Sequence, residues 1–160
     1  MGDTKPDRIK VLVLDDDGLN RDLTQRMLAL RGAEAVVASN IDDALRELRN
    51  SPPVHLVVTD ISLGGKGQDR AGIGFAQSVR AANPDLPIMG YSAFVDTSDL
   101  SVAERAAFTD YFPRGGSIAE VGHSLARCLE EGIRYRERRQ RAVYQPVSYT
   151  HLTLPTICSV

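Results

Sequence analysis

Asp15, Asp16 and Asp60 are the residues of this chain best placed to do chemistry. Asp15-Asp16-Asp17 follows directly on the apolar run Ile9-Lys10-Val11-Leu12-Val13-Leu14. Asp60 ends a second run, Val54-His55-Leu56-Val57-Val58-Thr59, and Ser92 follows a third, Pro87-Ile88-Met89-Gly90-Tyr91. Runs of this length, rich in Val, Ile and Leu, fit strands buried on both faces of a parallel sheet. Ligands of open parallel sheets bind beyond the carboxyl ends of the strands. Carboxylates ending two such strands therefore converge on one crevice. Clustered acids repel, so an oxygen-seeking divalent cation is their natural partner. Such a cation would in turn organise phosphate chemistry.

The elements that must position these acids alternate along the chain. Strands are expected at residues 9–14, 33–38, 54–59, 86–91 and 109–112, and helices at 18–31, 41–50, 72–82, 100–107 and from about 117. The first helix carries Leu19, Leu23, Met27, Leu28 and Leu30 largely on one stripe and stops at Gly32. Asn40 is suited to cap the second, and Ser51-Pro52-Pro53 breaks the chain before the third strand. The third helix offers Ile73, Phe75, Ala76 and Val79 to a core and ends at Asn83-Pro84. Strict alternation predicts an α/β fold with a parallel sheet and right-handed crossovers.

Composition narrows the field without deciding it. The 160 residues suit one domain plus an appendage, and 42% hydrophobic with 25% charged residues is ordinary for a globular protein. A net charge of −2 gives no reason to expect nucleic-acid binding. No stretch approaches a membrane span, and the N-terminal residues 1–7 lack a signal-peptide core. Cys128 and Cys158 lack metal-ligand spacing and fit a reducing cytoplasm. His55 and His123 carry no expectation of a chemical role.

Three stretches together, Val-Leu-Val-Leu-Asp-Asp-Asp at 11–17, Val-Val-Thr-Asp at 57–60 and Tyr-Ser-Ala at 91–93, resemble a response regulator receiver domain of two-component signalling. The resemblance covers residues 8–131 and implies a doubly wound, flavodoxin-like (βα)5 fold with strand order 2-1-3-4-5. It implies that Asp60 accepts a phosphoryl group from phosphohistidine on a histidine kinase or phosphotransfer protein. Asp15, Asp16, Asp60 and the backbone carbonyl of Ser62 would hold Mg²⁺. Ser92 would bond a phosphoryl oxygen, and Tyr111 would follow it as an aromatic switch. The implied protein is a cytoplasmic signalling switch rather than an enzyme, and is compatible with a homodimer. Asp17 is better suited to start the first helix, where acids are favoured.

Two departures from the family pattern stand out. Lys followed by Pro is usual after the fifth strand, whereas Arg114-Gly115 stands here. Arginine's planar fork is no geometric substitute for a compact ammonium. The loop after Asp60, Ile61 to Gly72, is also longer than the commonest form and contains Lys66, read as a solvated side chain. Arg114 motivates one alternative, a phosphorylation-independent pseudo-receiver acting as an interaction module. The Asp15-Asp16-Asp17 run also offers the D-x-D of an aspartate-nucleophile phosphatase, but no later lysine and acidic pair support that reading. Gly65-Lys66-Gly67 lacks the Ser or Thr of a phosphate-binding loop.

Beyond residue 131 the composition changes. Residues 132–146 are arginine-rich and read as a basic helical linker. Residues 147–160 contain Val-Ser-Tyr-Thr-His-Leu-Thr-Leu-Pro-Thr, which resembles the conceptual translation of a transposon-type sequencing adapter. This stretch is expected to be artefactual and to lack tertiary packing, with an output domain lost from the natural chain.

Overall fold

A computed structural model describes the backbone of residues 8–50, 53–63, 70–92, 97–112 and 117–158, with side chains through residue 143, Thr97 excepted. The chain alternates β1 (Lys10–Leu14), α1 (Gly18–Leu30), β2 (Glu34–Ala38), α2 (Ile41–Arg49), β3 (Leu56–Asp60), α3 (Ala71–Ala82), β4 (Ile88–Tyr91), α4 (Val102–Arg105), β5 (Asp110–Phe112) and α5 (Ile118–Cys158). The five strands form one parallel sheet in the order β2-β1-β3-β4-β5. The expected doubly wound α/β architecture is therefore the observed one. Every residue of β1 and β3 is buried, as strands covered on both faces require. One apolar cluster joins Leu12, Leu14, Val57 and Ile88 to α2, α3 and the residues flanking α4, and the other joins Val11, Val13, Val58 and Met89 to α1 and α5.

Local chemistry sets the helix ends. The Asp17 carboxylate accepts from the N–H groups of Leu19 and Asn20, and the Asn40 side chain accepts from Asp43 N–H. Gly32 takes a positive φ of 75° just past α1, a conformation open to glycine.

Two helices differ from expectation. On α1 only Leu28 of the expected stripe is fully buried, while Leu19 and Leu30 are 81% and 85% exposed. The inward face instead runs through Arg21, Thr24 and Leu28, at helical spacing, because its first turns abut polar groups at the strand ends. The expected helix over 100–107 is a single turn, α4, preceded by a 3₁₀ turn at Thr97–Asp99. A reciprocal cap between Ser101 and Glu104 holds that turn.

The last helix packs beyond residue 131. Gly132 is buried so close to β3's approach that a Cβ there would lie 3.1 Å from the His55 carbonyl oxygen. One turn on, Tyr135 is buried in the α3 cluster and accepts from the Asn83 side chain at 2.8 Å. Arg139 donates to the same phenol and lies over its ring. Arg114 and Lys66 lie outside the described residues, as do the side chains that would test packing of the expected tail.

Candidate functional site

Parallel register brings the chemistry together. Leu14 pairs with Thr59, and Asp60 with Tyr91, so Asp15, Asp60 and Ser92 emerge beside one another at the carboxyl end of the sheet. Carboxylate oxygens of Asp15, Asp16 and Asp60 all lie within 4.8 Å of one another. Asp15 is 0% and Asp60 8% exposed, whereas Asp16 faces solvent.

Each buried carboxylate is held. The Asp17 N–H donates to Asp15 Oδ1 at 2.8 Å, and the Tyr91 hydroxyl donates to Asp15 Oδ2. Arg21 of α1 donates to the Asp15 backbone carbonyl at 2.7 Å. The Ser62 N–H donates to Asp60 Oδ1 at 2.9 Å, fixing the loop that leaves β3. Gly72 closes that loop from below, its N–H donating to the Ile61 carbonyl. A Cβ on Gly72 would come within 1.9 Å of the Asp60 carbonyl oxygen, so only glycine permits this approach of α3.

Burial and mutual repulsion shape the electrostatics. Desolvation pushes the Asp60 carboxyl up to about 7; the Ser62 N–H opposes this, and Asp15, Asp16 and Asp17 add to it. Asp15 is also raised, chiefly by burial, against the lowering effect of the Tyr91 and Asp17 hydrogen bonds. Carboxylates confined this way are hard oxygen donors with a shared need for positive charge. The donor set fits Mg²⁺, which favours one or two carboxylates with water completing its shell.

The remaining expected residues surround this centre at different distances. Ser62 and Ser92 are both buried, Ser92 directly following β4. Tyr111 lies on β5 opposite Gly90, with the width of β4 between it and Asp60, and packs partly buried against the cluster that includes α3. Asp17 serves as the α1 cap, as its position suggested.

Tyr91 and Gly72 were not anticipated from the sequence. A tyrosine ending a buried apolar strand is a usable signal, because a buried phenol needs a hydrogen-bond partner. Gly72 carries no such signal; its need for a missing Cβ appears only once α3 is set against β3.

Known proteins resemble this chain in sequence and fold. Sensor protein TorS of Escherichia coli K12 is 29% identical over 124 residues, which are 78% of this chain and 13% of that protein. An uncharacterized 14.6 kDa protein of Leptolyngbya boryana is 31% identical over 109 residues, 67% of this chain and 79% of its own. Among solved structures, response regulator protein TrrA of Thermotoga maritima, in complex with Mg²⁺ and BeF, superposes with a TM-score of 0.62. It is 26% identical, and the match covers 74% of this chain and 97% of that one. The family model described as response regulator receiver domain matches residues 11–123. With its acids gathered beyond β1 and β3 of a 2-1-3-4-5 sheet, the chain belongs to the response regulator receiver domain family.

Proposed function

We propose that this chain is a phosphoacceptor switch in which Asp60 takes a phosphoryl group from phosphohistidine on a histidine kinase or phosphotransfer protein. The observation that carries this reading is the convergence of Asp15, Asp16 and Asp60 within 4.8 Å beyond adjacent parallel strands. The Mg²⁺ complex of TrrA supports it by likeness. Asp15, Asp16, Asp60 and the Ser62 carbonyl would hold Mg²⁺. When bound, that ion supplies the positive charge a carboxylate needs to approach an anionic phosphoryl group.

The chain's own groups do the rest. An Asp60 carboxylate oxygen forms the new O–P bond as the P–N bond to histidine breaks, and the departing imidazole nitrogen takes up a proton. The Ser62 N–H orients the nucleophile. Ser92 bonds a phosphoryl oxygen, and Tyr111 follows it from the β5 side. Arg114 stands in for the family's lysine as a second cation. The readout passes to a partner, an output domain or a second copy of the chain.

Incubation with a small phosphodonor and Mg²⁺ tests this. One acid-stable, base-labile phosphoryl group should appear in the parent and be absent from Asp60→Asn. Arg114→Lys should label at least as fast as the parent. Mg²⁺ binding without labelling in either parent or lysine variant would replace this reading with a phosphorylation-independent interaction module.

A further inference from the structure

Tyr91 has a place in the acidic centre that the phosphoacceptor reading leaves unused. It ends β4 in register with Asp60, one residue before Ser92. Its ring packs on the α1 and α5 side of the sheet, against the cluster containing Val58 and Met89. From there the hydroxyl reaches the far side of the centre and donates to Asp15 Oδ2. Thr24 on α1 sits beside the same phenol. Asp15 Oδ1 is already held by the Asp17 N–H, so both oxygens of this buried carboxylate have donors from the protein. A carboxylate restrained at both oxygens cannot rotate without breaking one bond. Groups behind a ligand fix its orientation in this way, and their loss commonly weakens metal binding about 10–100-fold.

We propose that Tyr91 is a positioning residue of the cation centre, its phenol setting the Asp15 carboxylate in the orientation from which it serves Mg²⁺. The inference rests on the proposed Mg²⁺ site but not on phosphorylation of Asp60.

The test uses the full chain and MgCl₂ alone, at about pH 8, above the Asp60 value of about 7. Calorimetric titration compares the parent with Tyr91→Phe, which keeps the ring and removes only the hydroxyl, and with Asp16→Ala. Tyr91→Phe should weaken Mg²⁺ binding by about 10–100-fold while far-UV circular dichroism stays unchanged. A purely structural tyrosine would lower metal-free stability and leave Mg²⁺ affinity within about twofold of the parent, which would overturn the proposal. Asp16→Ala separates the two readings. If it binds as the parent does, the cation site itself is wrong; if it loses binding while Tyr91→Phe does not, only the role of Tyr91 falls.

A second measurement needs no Tyr91 variant, should that protein fail to fold. With ¹³C at the tyrosine Cζ positions, five tyrosines report on their phenols. One resonance should move on Mg²⁺ addition in the parent and still move in Tyr111→Phe. A spectrum in which no tyrosine retained by Tyr111→Phe responds to saturating Mg²⁺ would overturn the proposal independently.

Discussion

Between its ordinary pKa of 3.8 and a folded value of about 7, Asp60 keeps a proton in the metal-free fold that the unfolded chain has released. Asp60 therefore favours the fold at low pH, and this contribution is lost as pH rises through about 7. A cation must displace that proton, so we expect Mg²⁺ affinity to fall as pH drops below about 7. Thermal denaturation with and without Mg²⁺ checks both signs. The metal-free midpoint should decline from about pH 5 to about pH 8, and the gain on adding Mg²⁺ should be greater at the higher pH. Gly72 and Gly74 provide a second residue-scale test because they sit two positions apart on α3. A Cβ on Gly72 collides with the Asp60 backbone, whereas one on Gly74 meets nothing within 4 Å. Gly72→Ala should cost ~1–3 kcal/mol in urea denaturation and slow labelling of Asp60. Gly74→Ala, in an exposed helical position, should add ~0.5–1 kcal/mol. Equal effects at the two sites would refute the close-approach explanation.

At the scale of elements, strands were easier to read than helices. Val11 to Leu14 and Leu56 to Val58 are apolar on both faces, and that pattern has few other homes than the middle of a parallel sheet. Acids ending those strands could be assigned to one crevice for the same reason. The α1 stripe misled because periodicity reports which residues share a face, not what the face meets. Near the acidic centre that neighbour is polar, so Arg21 and Thr24 turn inward while Leu19 turns out. Tyr91 was missed because its partner belongs to a strand two places away, a relation visible only with the sheet order in hand. The short α4 depends on its cap more than on packing, since none of its four residues is buried. Arg70 at the start of α3 also reaches Glu104 at 2.7 Å, though a pair this exposed is worth ~1 kcal/mol at most. Ser101→Ala should therefore cost ~0.5–2 kcal/mol and speed amide exchange across Val102–Arg105. Unchanged exchange there would show that the turn is held by something other than its cap.

Across the whole molecule, the acidic centre lies at the carboxyl end of the sheet, and the contacts α5 makes through Gly132 and Tyr135 lie at the opposite end. Tyr135 fills space between the end of α3 and the approach to β3, and its hydroxyl serves Asn83 and Arg139. Truncation to Ala should cost ~3–5 kcal/mol, as for other large buried aromatics, whereas Tyr135→Phe should lose only the polar contacts, ~1 kcal/mol. Denaturant midpoints of the two variants would separate filling from bonding. Gly132 has a mechanical consequence of its own. With its backbone against the His55 carbonyl and Tyr135 pinned one turn later, Gly132 continues the grip that Leu125, Cys128 and Leu129 begin, and the helix leaves the core only past Tyr135. From Tyr135 to Val143 the helix extends roughly 12 Å past that grip, so a tilt of about 10° there would move Val143 by about 2 Å. A tilt too small to notice at Gly132 would thereby be magnified with distance along the helix.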